Sequence, residues 1–199
     1  IGFLAIANLI GFHLGFFFAS VAHKRFDKRW TIVFSAAGLS VFWSTAVTLG
    51  LLGLAPANSS LQLVVFIIFW SIFSSVFGSV LNISVMSALA DITDEHEAKT
   101  GRRQEGIFYS ARTFFSKTSN AIGHVVAGIA IEYYVLLPPS SIQGQVPGDV
   151  LFRLGVVEGP FAMVWGLIAA LFYAGYRIDR DSYERVQAQL KEQRSKTAT

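Results

Sequence analysis

The chain alternates between long apolar runs and short charged connections. Five windows, at about 1–22, 30–54, 61–89, 107–137 and 150–176, are long enough to cross a bilayer, which takes roughly 20 predominantly apolar residues. None has the period-2 alternation of a barrel strand. The pattern therefore predicts an all-α membrane protein of about five transmembrane helices. The last two windows exceed the minimum and predict helices that tilt or project beyond the bilayer. Ile1 lies inside an apolar run, with no charged n-region or small-residue cleavage site. That predicts a start within a longer protein rather than a signal peptide.

The connections sort by charge. Residues 23–29 carry Lys24, Arg25, Lys28 and Arg29, and residues 91–106 carry Lys99, Arg102 and Arg103. Connections 55–60 and 138–149 carry no Lys or Arg. Of the 16 basic residues, all except Arg112, Lys117 and Arg153 fall on one side of the predicted bundle or in the tail. Basic loops stay in the cytoplasm, so the Ile1 end is expected outside and the tail cytoplasmic. Two units follow: an incomplete transmembrane bundle over 1–176 and a cytoplasmic tail over 177–199. In the tail, Tyr183, Val186 and Leu190 recur at helical spacing. They predict an amphipathic helix on the membrane or the bundle, or else a solvated tail.

Composition agrees with lipid as the main solvent. Hydrophobic residues make up 53% of the chain and charged ones 15%, against about 25% charged in a soluble domain. The 17 glycines suit close helix packing in membranes. The lack of cysteine excludes disulfides and Cys-ligated metals. The net charge of +3 comes from topology determinants flanking helices, not from a nucleic-acid surface. No nucleophile, base and acid share one level of the bundle, so the chain reads as no enzyme, and no cofactor is implied.

Ionisable groups at membrane depth usually face a cavity or a partner. At 100° per residue, Ser110, Thr113, Asn120, His124 and Gly128 fall within about 60° of Lys117. Phe108, Phe115, Ile122 and Val126 lie opposite. Lys117 reads either as a lining residue of a solute or cation path or as half of an interhelical ion pair. His124 reads as a proton relay or solute contact, or as an interhelical hydrogen bond. Arg112 lies nearer the cytoplasmic mouth, placed to pair with the acidic loop. In the third window Ser71, Ser75, Gly78 and Asn82 share a face. Helix packing explains the small residues, and Asn82 is the candidate solute contact. Glu158 is expected to pair with Arg153 at the interface, and Asn8 and His13 are weaker candidates.

Residues 91–106 are dense in carboxylates but contain no HExxH or EF-hand pattern, so no metal site is expected. Alternating acids and bases beside helix ends predict a cytoplasmic ion-pair network able to hold a gate shut. Asp91, Asp94, Glu97, Thr100, Gly101, Arg103, Glu105 and Gly106, followed by Phe108-Tyr109 and Phe114-Phe115-Ser116-Lys117, form a recognisable pattern. It resembles the glycoside–pentoside–hexuronide:cation symporters, the melibiose permease-like family of the major facilitator superfamily. The resemblance implies that the windows correspond to helices 8–12 of such a transporter, in the bacterial cytoplasmic (inner) membrane. It implies a partner N-terminal six-helix half, on the same or a separate chain, that holds most of the site for a coupling sodium ion or proton. By the same resemblance Lys117 belongs with the sugar and cation sites. Asp91, Asp94, Glu97, Arg103 and Glu105, with Arg102 and Arg112 beside them, form the gate network.

The function expected is cation-coupled symport of a sugar or related hydrophilic solute by alternating access. Lys117, Asn120, His124, Asn82 and Thr113 would line the path. The alternative is a non-transporting membrane scaffold subunit of a larger complex, distinguished by the lack of a second six-helix half.

Overall fold

In a computed structural model, described for residues 2–57, 60–138, 142, 144–175 and 180–197, the apolar windows are helices. They are α1 (Gly2–Arg25), α2 (Lys28–Leu51), α3 (Leu61–Thr100) and α4 (Glu105–Ile129). A π-helical turn, Ala130–Val135, extends α4. Next come α5 (Gly148–Val156), a second π turn (Val157–Phe161), α6 (Ala162–Tyr173) and α7 (Arg180–Thr197). Local chemistry sets several of these boundaries. Extended Ser60 caps α3, its hydroxyl accepting from the Leu63 N–H at 3.1 Å. Forty residues later α3 stops at Gly101, whose φ of 68° is open to glycine at no steric cost. Pro160 lies within the second π turn; a proline there removes one i→i−4 bond, and the wider turn absorbs the defect.

Helix α3 is the spine, with α1 against one flank and α2 against the other, while α6 and its preceding π turn pack on α2. The α1–α3 contact is backbone-close. Ala7, Gly11, Gly15 and Ala19 are buried at every fourth position, so one side of α1 carries almost no side-chain bulk. A Cβ at Gly11 would lie 2.5 Å from the Ile72 carbonyl oxygen, and one at Gly15 would lie 2.4 Å from Ser79 Cβ. Hydroxyls bridge the same seam. Ser79 donates to the Phe12 carbonyl at 3.0 Å. Ser71 and Ser75 both donate to Asn8 Oδ1, at 2.5 and 2.8 Å. The α2–α3 seam is aromatic, with Phe42 stacked on Phe73 and Phe77 at centroid distances of 5.3 and 5.2 Å.

The outer surface is apolar: Phe3 is 71% exposed, Leu61 78% and Phe172 79%. Exposure on this scale marks a surface that lipid or a further protein segment covers. Among the described residues, four helical rods are long and apolar enough to span a membrane: α1, α2, α3 and Gly148–Tyr173. The fourth of the five expected windows falls short. Helix α4 has the length, but Lys117, Asn120 and His124 make its inner turns too polar. No residue of α4 is buried. It meets α3 near its start, and its π-helical extension meets α5.

Candidate functional site

Three elements converge at the basic end of the bundle: the α1–α2 turn, the part of α3 beyond the apolar window, and α7. Asp91, on the projecting turns of α3, is 5% exposed in its side chain. Lys28 Nζ donates to its two carboxylate oxygens at 2.8 and 2.6 Å. The same ammonium lies 4.9 Å from the centroid of the Tyr183 ring on α7. One turn along α3, Asp94 accepts from Gln187 Nε2 at 2.8 Å. Gln193 Nε2 donates to the Ala98 carbonyl at 3.1 Å. Between these bonds Leu190 is 2% exposed, so α7 docks on α3 with an apolar anchor flanked by polar ties. Burial, and then the Asp91 and Asp94 carboxylates, push the Tyr183 phenol above its ordinary pKa. On the membrane side of the cluster, His23 Nε2 lies 2.8 Å from Ser84 Oγ. The Ser84 hydroxyl proton is directed to the Val80 carbonyl at 2.7 Å, so His23 is the donor in that contact.

Beyond Gly101 the network continues. Arg103 bonds Glu105 and lies 3.8 Å from Glu97. The hydrogen bond that Arg103 donates to Glu105, and then the charge of that carboxylate, raise the Arg103 pKa. His96 Nε2 is 3.0 Å from Gln104 Oε1, and its ring meets Phe108 edge-on. These contacts tie the start of α4 to α3. Asp91, Asp94, Glu97, Arg103 and Glu105 thus all lie at this end, Asp91 held by Lys28, Asp94 by Gln187, and Glu97 and Glu105 by Arg103. Arg102 and Arg112 form no ion pair among the described residues. Lys28, Tyr183 and Gln187 were not legible as members. Lys28 read only as a topology charge; the pairing follows from the antiparallel reversal that lays the α1–α2 turn beside α3.

The path residues stand on α4 and α3. Lys117, Asn120 and His124 lie on the exposed surface of α4. Thr113 also lies there, its hydroxyl bonded back to the Tyr109 carbonyl at 2.9 Å. Asn82 is exposed on α3, and no hydrogen bond links it to the α4 stripe among the described residues. The other residues of its expected face are used in helix packing. Ser71 and Ser75 serve the α1 seam, and Gly78 faces Leu39 of α2. One expectation is corrected. Arg153 pairs with Asp149 at 2.8 Å, while Glu158 accepts from Trp43 Nε1 at 3.1 Å. Asp149 sits four residues from Arg153, one helical turn away on the same face. Glu158 lies five residues on, inside the π turn, and faces α2.

The profile of the family described as MFS/sugar transport protein matches residues 1–180. The chain belongs to this family. A protein of Synechocystis sp. (strain ATCC 27184 / PCC 6803 / Kazusa), named as an uncharacterized symporter, is 30% identical over 125 residues. That alignment covers 59% of this chain and 23% of the relative, so the chain spans less than a quarter of the relative's length. No solved structure gives a significant match. Membership of a sugar-transport family fits the all-helical architecture with its long apolar helices.

Proposed function

We propose that the chain forms part of a cation-coupled symporter for a sugar or related hydrophilic solute, working by alternating access in the bacterial inner membrane. The observation that carries this reading is the α4 stripe. Lys117, Asn120 and His124 lie on one face of a helix whose other face is aromatic and aliphatic. Lys117 has no carboxylate partner among the described residues. An uncompensated lysine at membrane depth is expensive unless it lines a watered path. A second six-helix half, on the same or another chain, would close that path and hold the sodium or proton site. The solute would then bind near the midplane between the halves.

In this scheme the basic end faces the cytoplasm. The cluster of Lys28, Asp91, Asp94 and α7, with Glu97, Arg103 and Glu105 beside it, latches the inner mouth when the path opens outward. The relative's name, which states symport, supports the same mode. The deciding experiment is uptake of radiolabelled sugars into proteoliposomes holding the full-length protein, with sodium and proton gradients imposed separately. Accumulation that requires one gradient supports the reading. Facilitated equilibration unaffected by either gradient refutes coupling.

A further inference from the structure

A second polar locus lies away from both the α4 stripe and the basic-end cluster. A cavity of about 230 Å³ opens between α1, α2 and α3 and reaches the π turn before α6. Its polar lining is Asn8, Ser71, Ser74 and Glu158, set among the rings of Phe42, Trp43 and Trp70. At about 1.5 Å per residue, Trp43 lies about 12 Å from the end of α2. Ser71 and Glu158 each lie about 15 Å from the starts of α3 and α5 on the same count. These depths agree and place the cavity near the middle of a hydrocarbon core about 30 Å thick.

The carboxylate there has no counter-charge among the described residues. Glu158 makes one hydrogen bond, from Trp43 Nε1, and no Lys, Arg or His pairs with it among the described residues. The nearest base in sequence, Arg153, is engaged by Asp149 and lies 3.4 Å from the Tyr134 carbonyl. The other polar groups lining the cavity are neutral hydroxyls and an amide. Glu158 is exposed to this cavity, and a carboxylate at membrane depth with no cationic neighbour is costly, a cost that a mobile positive charge beside it lowers. Hard oxygen donors suit a hard cation, and Glu158, among the described residues the one charged group lining the cavity, balances a single positive charge. The indole N–H holds Glu158 Oε1, and the residue lines the cavity.

We propose that Glu158, oriented by Trp43, binds a single monovalent cation, sodium or a proton, in this midplane cavity. The chain then carries a cation site of its own, separate from any in a second half. Cation binding here rests on the cavity and not on transport, so it survives if the solute is not a sugar.

Tryptophan fluorescence of the purified full-length protein reads the site through Trp43. In one arm NaCl replaces N-methyl-glucamine chloride at constant pH and ionic strength. In the other, pH is lowered without sodium. A saturable change in the first arm identifies sodium, and one in the second alone identifies the proton. Glu158→Gln is expected to abolish the change, and Glu158→Asp to raise the half-saturating concentration at least tenfold. Should Glu158→Gln fail to fold, as judged by thermal unfolding, Glu158→Asp carries the comparison. No saturable response in either arm, or a wild-type response in the variants, overturns the proposal.

Discussion

Lys28 and Asp91, separated by 63 residues, form a two-oxygen ion pair at 2.6 and 2.8 Å that joins the α1–α2 turn to α3. The lysine is 28% exposed and the aspartate 5%, so the pair is sheltered on one side only. Removing Lys28 takes the close opposite charge away from Asp91, and breaking a buried pair in this way costs about 3–5 kcal/mol. Because Lys28 is partly solvated, Lys28→Ala is expected to destabilise the bundle by about 3 kcal/mol, at the lower end of that range. Lys28→Leu combined with Asp91→Leu should recover most of the loss. Thermal unfolding of detergent-solubilised protein measures both, and a double variant as unstable as the single one would show that the pair is not what matters.

The α1–α3 seam should be intolerant of added volume. Gly11→Val places atoms against the Ile72 backbone, and Gly15→Leu places them against Ser79. Overpacking typically costs about 1–3 kcal/mol, and the backbone obstacle at Gly11 puts that variant at the upper end. Gly123→Ala on α4 meets nothing within 4 Å, and the better helix former should leave stability unchanged or raised by up to about 1 kcal/mol. Melting all three variants side by side checks the contrast.

Lys117 is exposed on α4 and forms no ion pair among the described residues. Surface positions of this kind move stability by about 0.5 kcal/mol or less. If it lines the path, Lys117→Ala should lower the initial uptake rate at least tenfold, about 1.4 kcal/mol of barrier. Uptake and unfolding measured on one preparation separate the two effects. Near-normal accumulation would remove Lys117 from the path.

Docking of α7 should weaken in alkali. The Tyr183 phenol has its pKa raised in the folded chain, by burial first and by Asp91 and Asp94 next. Here the unfolded chain gives up its proton first. As pH climbs through the ordinary tyrosine value of 10.0 toward the raised folded value, the neutral phenol's contribution to docking is lost. Proteolysis of α7 followed from pH 8 to about pH 11 should accelerate at the upper end. Tyr183→Phe should lack the acceleration.

Much of this architecture was legible from residue types alone. Apolar length marked α1, α2, α3 and the α5–α6 rod, because a bilayer imposes a minimum span on any sequence. The carboxylate cluster was visible because Asp91, Asp94 and Glu97 recur at three-residue spacing on one helix. Pairings across helices were not, since Lys28 and Gln187 reach Asp91 and Asp94 only through tertiary contacts. Glu158 was assigned to Arg153 because sequence distance favoured it. The π turn around Pro160 rotated it toward Trp43 instead, and no spacing rule for a regular helix anticipates that rotation.

Helix α3 is a single uninterrupted rod of 40 residues, about 60 Å long at the α-helical rise. Ser71, which lines the midplane cavity, and Asp91, which holds Lys28, sit on it about 30 Å apart. With no proline along it, such a rod passes a change at one of these places along its length chiefly as a tilt. A tilt of about 5° pivoting near Ser71 displaces Asp91 by about 3 Å, as far as a hydrogen bond is long. A tilt of α3 driven by a cation bound at the membrane centre would therefore reach the grip on Lys28 and α7 by leverage, with no chain of intermediate side chains needed to carry the message.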